Sequence, residues 1–289
     1  MFHQPVLVDE VTHWIDLRDE GVYCDCTVGG AGHLVAMLNR TRKAQFVGID
    51  CDPEAIAESR RVTKNFRNRC FLFENNFTNL DLILDEIKVK HIRGVLFDLG
   101  VSYHQLVTPE RGFSFERDGD LLMRMSPHYP SLRDKLLRIR EEDLAEVLRE
   151  YGDVRNYRKM ARQIYGLRRK INTTLDLRRA VEYIIPPRYL KKNLHKVFQA
   201  LRIWTNNELI NLEEGLSVAF RRLASHGRML VISYHSGEDR IVKRFFRALK
   251  DEARARLLNK KVIKPSDDEI KRNPRARSAR LRVSEKCAF

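Results

Sequence analysis

A chain of 289 residues, 43% of them hydrophobic, is long and apolar enough for one large globular domain or for a domain carrying a sizeable insertion. Its 54 lysines and arginines against 39 acidic residues leave a formal charge of +15, which favours a polyanionic partner, nucleic acid first. A membrane is disfavoured, because no apolar run reaches about 18 residues and Met1-Phe-His-Gln-Pro5 lacks a charged start followed by an apolar stretch; five cysteines without C-x-x-C pairing indicate neither a disulfide framework nor a zinc site, so no metal is expected and a cytoplasmic location is.

In chain order, Val22 to Val28 has the β-branched, aromatic and small residues of a central parallel strand buried on both faces. Gly29, Gly30, Ala31 and Gly32 break it, with few Cβ atoms to hinder a sharp turn or a ligand's approach to the main chain. Leu34, Met37 and Leu38 then restart at helical spacing. A second strand, Phe46–Ile49, ends at Asp50. Asp52-Pro53 opens a helix with Ala55, Ile56 and Val62 on one side and Glu58, Arg60 and Arg61 on the other. Strands follow at Cys70–Phe73 and Gly94–Phe97. The alternation stops at Ser102 and resumes with a fifth strand, Arg228–Tyr234, and a helix through Ile241, Val242, Phe245, Phe246 and Leu249. Lys261–Lys264 and Leu281–Ser284 are expected to close the fold as a hairpin. This pattern predicts an α/β doubly wound parallel sheet over residues 1–103 and 203–289. Residues 104–202, with Leu136, Leu137, Ile139, Leu144 and Leu148 in charged helical sequence, form an inserted helical subdomain in this reading.

A glycine turn followed about twenty residues later by a strand-end acid points to adenosine, whose ribose hydroxyls Asp50 can accept. A dinucleotide fingerprint counted from Gly30 lacks its third glycine, because Val35 stands there, and no Lys-Ser or Lys-Thr pair makes a P-loop. S-adenosylmethionine fits better, since it carries a sulfonium and an amino acid in place of phosphates. An ordinary βαβ turn without ligand stays open for this stretch alone. Ligands of doubly wound sheets bind beyond the carboxyl ends of the strands, where His33, Asp50, Phe77, Asp98 and His235 fall. Phe77 either packs on adenine or joins the core. Asp98 either faces the transferred methyl group or caps its turn.

Several segments together resemble the bacterial ribosomal RNA small-subunit methyltransferase H family over nearly the whole chain. They are His3–Leu7, Thr27–His33, Asp98–Gln105, Arg111–Phe115, Phe198–Ile203, His235–Arg240 and Asn273–Arg282. The resemblance implies a class I S-adenosylmethionine-dependent fold (Rossmann-like) with an inserted helical substrate-recognition subdomain. It implies methylation of the exocyclic N4 of a cytidine in the decoding region of 16S rRNA, within the small ribosomal subunit. Carried over position by position, the cofactor contacts fall on Gly30, Ala31, Gly32, His33, Asp50, Phe77, Asp98 and Gln105. Ala31 replaces a family glycine, tolerable if its φ is negative.

The family's L-D-M-R-M is Leu121-Leu-Met-Arg-Met125 here, and Asp118 and Asp120 lie near the missing acid. Gly237 replaces a leucine, which removes packing, and Lys192-Asn-Leu-His-Lys-Val197 departs from the usual H-x-A-T. An acceptor for the amino protons is expected at Asp98, then Asp118. Arg111, Phe113 and Arg124 form a loop suited to an extruded base, and Arg202, His235, Arg240, Arg275, Arg277 and Arg280 extend the RNA footprint. Another RNA base, a ribosomal protein, or a noncatalytic assembly role remain alternatives, and monomer or homodimer is left open.

Overall fold

The computed structural model of the protein describes residues 5–288, so His3 and Gln4 of the first family segment lie outside the described residues. Two compact units emerge, 5–100 with 209–288, and 101–208. The first begins with α1 (Val8–Trp14) and alternates through β1 (Val22–Asp25), α2 (Gly32–Asn39), β2 (Gln45–Asp50), α3 (Pro53–Val62), β3 (Cys70–Glu74), α4 (Leu80–Glu86) and β4 (Ile92–Asp98). Asp52 caps α3 by accepting the Glu54 N–H at 3.1 Å, and Pro53 at the first helical position needs no donor there.

The second unit comprises α5 (Tyr103–Val107), α6 (Leu132–Arg138), α7 (Glu141–Gly152), α8 (Tyr157–Leu167), α9 (Thr174–Glu182) and α10 (Pro187–Asn206). Capping boxes start α5, α6 and α9 at Ser102, Ser131 and Thr173. Their apolar faces share a core with Phe113, Phe115, Leu121 and Met123. The chain returns through α11 (Glu208–Arg222), β5 (Leu223–Ser233), α12 (Ser236–Asp251), β6 (Ala255–Leu257), α13 (Asp267–Arg272) and β7 (Arg280–Lys286).

One seven-stranded sheet has the order β3-β2-β1-β4-β5-β7-β6. The five strands on the β3 side are parallel, as expected, while β7 is antiparallel to both β5 and β6, so the sheet as a whole is mixed. The expected hairpin shrinks to one bridge, Ile263 with Leu281. Pro265 has no N–H to continue that pairing, and the true edge strand is the short, charged Ala255–Leu257. β1 is also shorter than predicted. It leaves the ladder after Asp25, although the Cys26 and Val28 N–H groups still reach Leu96 O and Ile49 O at 2.9 Å each. One apolar layer covers each sheet face: Leu34, Met37 and Ile56 on one, Leu80, Leu216 and Phe246 on the other.

Candidate active site

The register places β1 between β2 and β4, and all three strands end in an aspartate: Asp25, Asp50 and Asp98. Asp50 holds the glycine turn. Its Oδ2 accepts the Gly29 N–H and its Oδ1 the Asp52 N–H, each at 2.9 Å. Ser59 of α3 ties the same turn from outside by donating to Gly29 O at 2.8 Å. A carboxylate oxygen has two lone pairs, so Asp50 retains capacity for ribose hydroxyls. Burial pushes its carboxyl up to about 6 against the pull of those N–H groups.

Asp25 is fully buried and accepts the Thr27 N–H at 3.2 Å. Burial first, then the charges of Asp98 and Asp50, push its carboxyl up to about 8. Asp25 is absent from the expected site. An acid inside the apolar run Tyr23-Cys-Asp-Cys26 is the signal for it, because an acid in a buried strand needs a partner.

Asp98 donates its N–H to Thr27 Oγ1 at 2.6 Å and accepts the Tyr234 hydroxyl on Oδ1 at 2.8 Å. Its Oδ2 stands 3.6 Å from Nδ1 of His33. The other His33 nitrogen, Nε2, donates to the Val6 carbonyl at 2.8 Å, since a carbonyl oxygen can only accept. Burial and the Asp98 charge drive the Tyr234 phenol well above its ordinary value, so it stays a donor. Tyr234, expected only as a strand end, is thus part of the site.

Two expectations about the turn change. A Cβ on Gly32 would stand 2.7 Å from the Pro5 ring, so that glycine admits the chain's own N-terminal segment. Ala31 has φ 62 and ψ 22, left-handed and fully buried, so the negative φ that would have suited its methyl is not adopted. The cause is local: Ala31 N–H closes the turn on Val28 O at 2.7 Å and its carbonyl starts α2 by accepting Val35 N–H at 2.8 Å. Phe77, in a 3₁₀ turn after β3, packs edge-on to Phe97 at 5.4 Å and against Gly215 of α11, as a partly buried core aromatic.

Within the 101–208 unit the expected contacts are largely occupied by the unit itself. Gln105 is buried and accepts the Ser102 N–H at 2.9 Å in the capping box of α5. Phe113, expected to face RNA, is 5% exposed in the core, because the loop folds its aromatic face inward. Arg111 donates to the Arg124 and Met125 carbonyls, and Arg124 to those of Pro127 and Tyr129. Arg202 forms a two-pronged pair with Glu208 at 2.9 Å. Asp118 caps backbone: Gly119 N–H at 3.1 Å and Leu175 N–H at 3.3 Å, with the Thr173 hydroxyl holding its carboxyl below the usual range.

In the other unit, His235 caps α12, with its ring over Gly237 and 3.1 Å from Glu238, so the leucine-to-glycine change lies in a helix turn. Arg280 and Arg282 pair with Asp239, while Arg240, Arg275 and Arg277 are exposed.

Three carboxylates around a glycine turn favour a cationic adenosine ligand over a polyphosphate, and the sulfonium and ammonium of S-adenosylmethionine fit that donor set. With the sheet order and its reversed β7, this defines a class I S-adenosylmethionine-dependent methyltransferase. More narrowly, the chain belongs to the MraW methylase family, whose model matches residues 1–287. It is 40% identical to the ribosomal RNA small subunit methyltransferase H of Thermotoga neapolitana over 98% of this chain and 96% of that one. The protein of that name from Sulfurihydrogenibium sp. is also 40% identical, over 98% and 99% of the two chains. That of Chlamydia caviae is 40% identical over 99% and 98%.

Proposed function

We propose that the protein methylates the exocyclic N4 of a cytidine in the decoding region of 16S rRNA, acting on the small ribosomal subunit. The reading is carried by the Asp25, Asp50 and Asp98 carboxylates around a glycine turn, in a chain whose relatives are named for small-subunit rRNA. Bound S-adenosylmethionine supplies an activated methyl group on its sulfonium. Cytosine N4 is a poor nucleophile because its lone pair is delocalised into the ring, so the chain contributes alignment and a proton acceptor.

Asp98 is that acceptor. A carboxylate accepts up to about four hydrogen bonds, and the Tyr234 hydroxyl and His33 orient this one without excluding an amino group. As N4 gains the methyl group it becomes cationic, the charge Asp98 favours, and an Asp98 oxygen takes the released proton. Asp118 is tied to its own turn and to the start of α9 by the Gly119 and Leu175 N–H groups, and we assign the role to Asp98. Asp50 holds ribose, and Asp25 meets the cationic end of the cofactor. Arg240, Arg275 and Arg277, exposed in this charge-rich chain, supply phosphate contacts.

Labelled methyl transfer to purified small subunits, followed by nucleoside analysis, tests the proposal. N4-methylcytidine in the decoding region is the expected product; label in another nucleoside or in ribosomal protein would overturn it.

A further inference from the structure

The corner where α9 meets α10 carries an aromatic and basic cluster to which the reading above gives no role. Tyr183, at the C-terminal end of α9, is 80% exposed, and Tyr189, in the first turn of α10, is 51% exposed. Tyrosine rings are ordinarily intermediate in burial, so two exposed within seven residues are an unusual concentration of bare π surface. The corner is well defined. Tyr183 N–H bonds Arg179 O, those of Ile184 and Ile185 both reach Val181 O, and Tyr189 N–H bonds Pro186 O. Buried Ile185 anchors it from beneath, and Pro186 and Pro187 fix the bend.

The same segment carries cations. The Arg188 guanidinium lies 4.6 Å from the Tyr189 ring centre. Lys191 and Lys192 follow on α10, both exposed, with Lys191 in only a 3.9 Å contact with Glu116 between two exposed side chains. The acid of the corner, Glu182, is already paired with Arg178 at 2.6 Å. A polyanion with accessible ring faces complements such a surface, which describes unpaired RNA; a duplex hides its base faces and would engage the cations alone.

We infer that Tyr183 and Tyr189, with Arg188, form a stacking platform for unpaired nucleotides of the RNA substrate. This rests on the rRNA-methylating reading above and adds that the substrate presents single-stranded residues to the 101–208 unit.

Full-length protein titrated against a labelled single-stranded oligoribonucleotide and against a duplex of the same sequence, by fluorescence anisotropy at fixed salt, tests it. Tyr183→Ala and Tyr189→Ala each weaken single-strand binding roughly tenfold and leave duplex binding within about twofold. Tyr→Phe at either position keeps wild-type affinity, because stacking needs the ring alone. Lys191→Ala weakens both ligands and lowers the salt slope by about one. Alanine variants that melt like the wild type yet bind the single strand equally well, or that lose the duplex in parallel, would overturn the platform. So would intact RNA binding with methylation of assembled subunits lost, since that outcome assigns the corner to a ribosomal protein. The underlying reading fails separately, by wild-type protein that methylates no rRNA nucleoside.

Discussion

The ends of β1, β2 and β4 and the loop from Thr108 to Ser131 both concentrate charged side chains, but they use them oppositely. At the strand ends, three aspartates gather around one turn, and burial raises two of the three. In the loop, Arg111 and Arg124 bind carbonyls of their own segment, Asp118 caps its own turn, and Asn206 bridges Met125 N–H at 2.7 Å and Met123 O at 2.9 Å. The first arrangement gathers buried carboxylates whose ionised form a cationic ligand favours; the second is a self-satisfied scaffold. Conspicuous residue types mark function only where the fold leaves their polar groups for something else.

The largest expected effect separates the two kinds of aspartate. Asp98→Asn lowers kcat by at least about 100-fold, while calorimetric affinity for S-adenosylmethionine falls much less, because a carboxamide cannot take the amino proton. Asp118→Asn changes kcat by less than about threefold. Equal losses in single-turnover assays of the two variants would erase the distinction.

Next comes the scaffold itself. Gly112 has φ 71, and a Cβ there would run into the Asp120 carbonyl. Gly112→Val therefore destabilises by roughly 3 kcal/mol or more, a drop of about 6–12 °C in a protein of this size. Thermal unfolding at the wild-type temperature would show that the loop yields and is not a fixed scaffold.

The same contrast explains what was legible beforehand. The parallel strands, the turn, Asp50 and Asp98 could be read because hydrophobic period and strand-end position are local properties. Asp25 escaped because an apolar run masks an acid within it, and β6 because Ala255–Leu257 is short and charged. Whether Arg111 or Arg124 is available cannot be read locally: the carbonyls that occupy Arg111 lie 13 and 14 residues away, and the Asn206 that holds Met125 lies 81 away. Phe113 belongs to the same class, since its burial depends on helices contributed by 132–201.

A smaller effect sharpens the strand-end side. Asp25 and Asp50 titrate near 8 and near 6 without ligand, so rising pH ionises them and strengthens binding of a cationic cofactor. Affinity for S-adenosylmethionine rises about tenfold from pH 5.5 to 8.5, with proton release on binding, while the demethylated product, lacking the sulfonium charge, changes less. Both folded values lie above the ordinary carboxyl value. Their stabilising contribution is therefore complete at low pH and is lost as pH climbs through 6 and 8. Asp25→Asn should accordingly gain stability relative to wild type above pH 8, measured by urea midpoint, and lose cofactor affinity. Parallel pH profiles for the two ligands in calorimetry would remove the carboxylate cluster as the source of selectivity.

The smallest effect lies in the turn between these acids. Ala31 is held left-handed, which disfavours an L-residue by about 1–2 kcal/mol, yet Ala31→Gly also frees the unfolded chain and removes a buried methyl. Those opposing terms leave a net change within about 1 kcal/mol of zero. The neighbouring Gly32 has no such balance. Its Cβ would press on the Pro5 ring at 2.7 Å, so Gly32→Ala destabilises by roughly 1–3 kcal/mol. A chemical denaturation pair in which Ala31→Gly is the more damaging of the two would mean that the methyl of Ala31 packs more strongly than its backbone is strained. The turn would then be held by its buried side chain, and the Asp50 grip on Gly29 would be secondary.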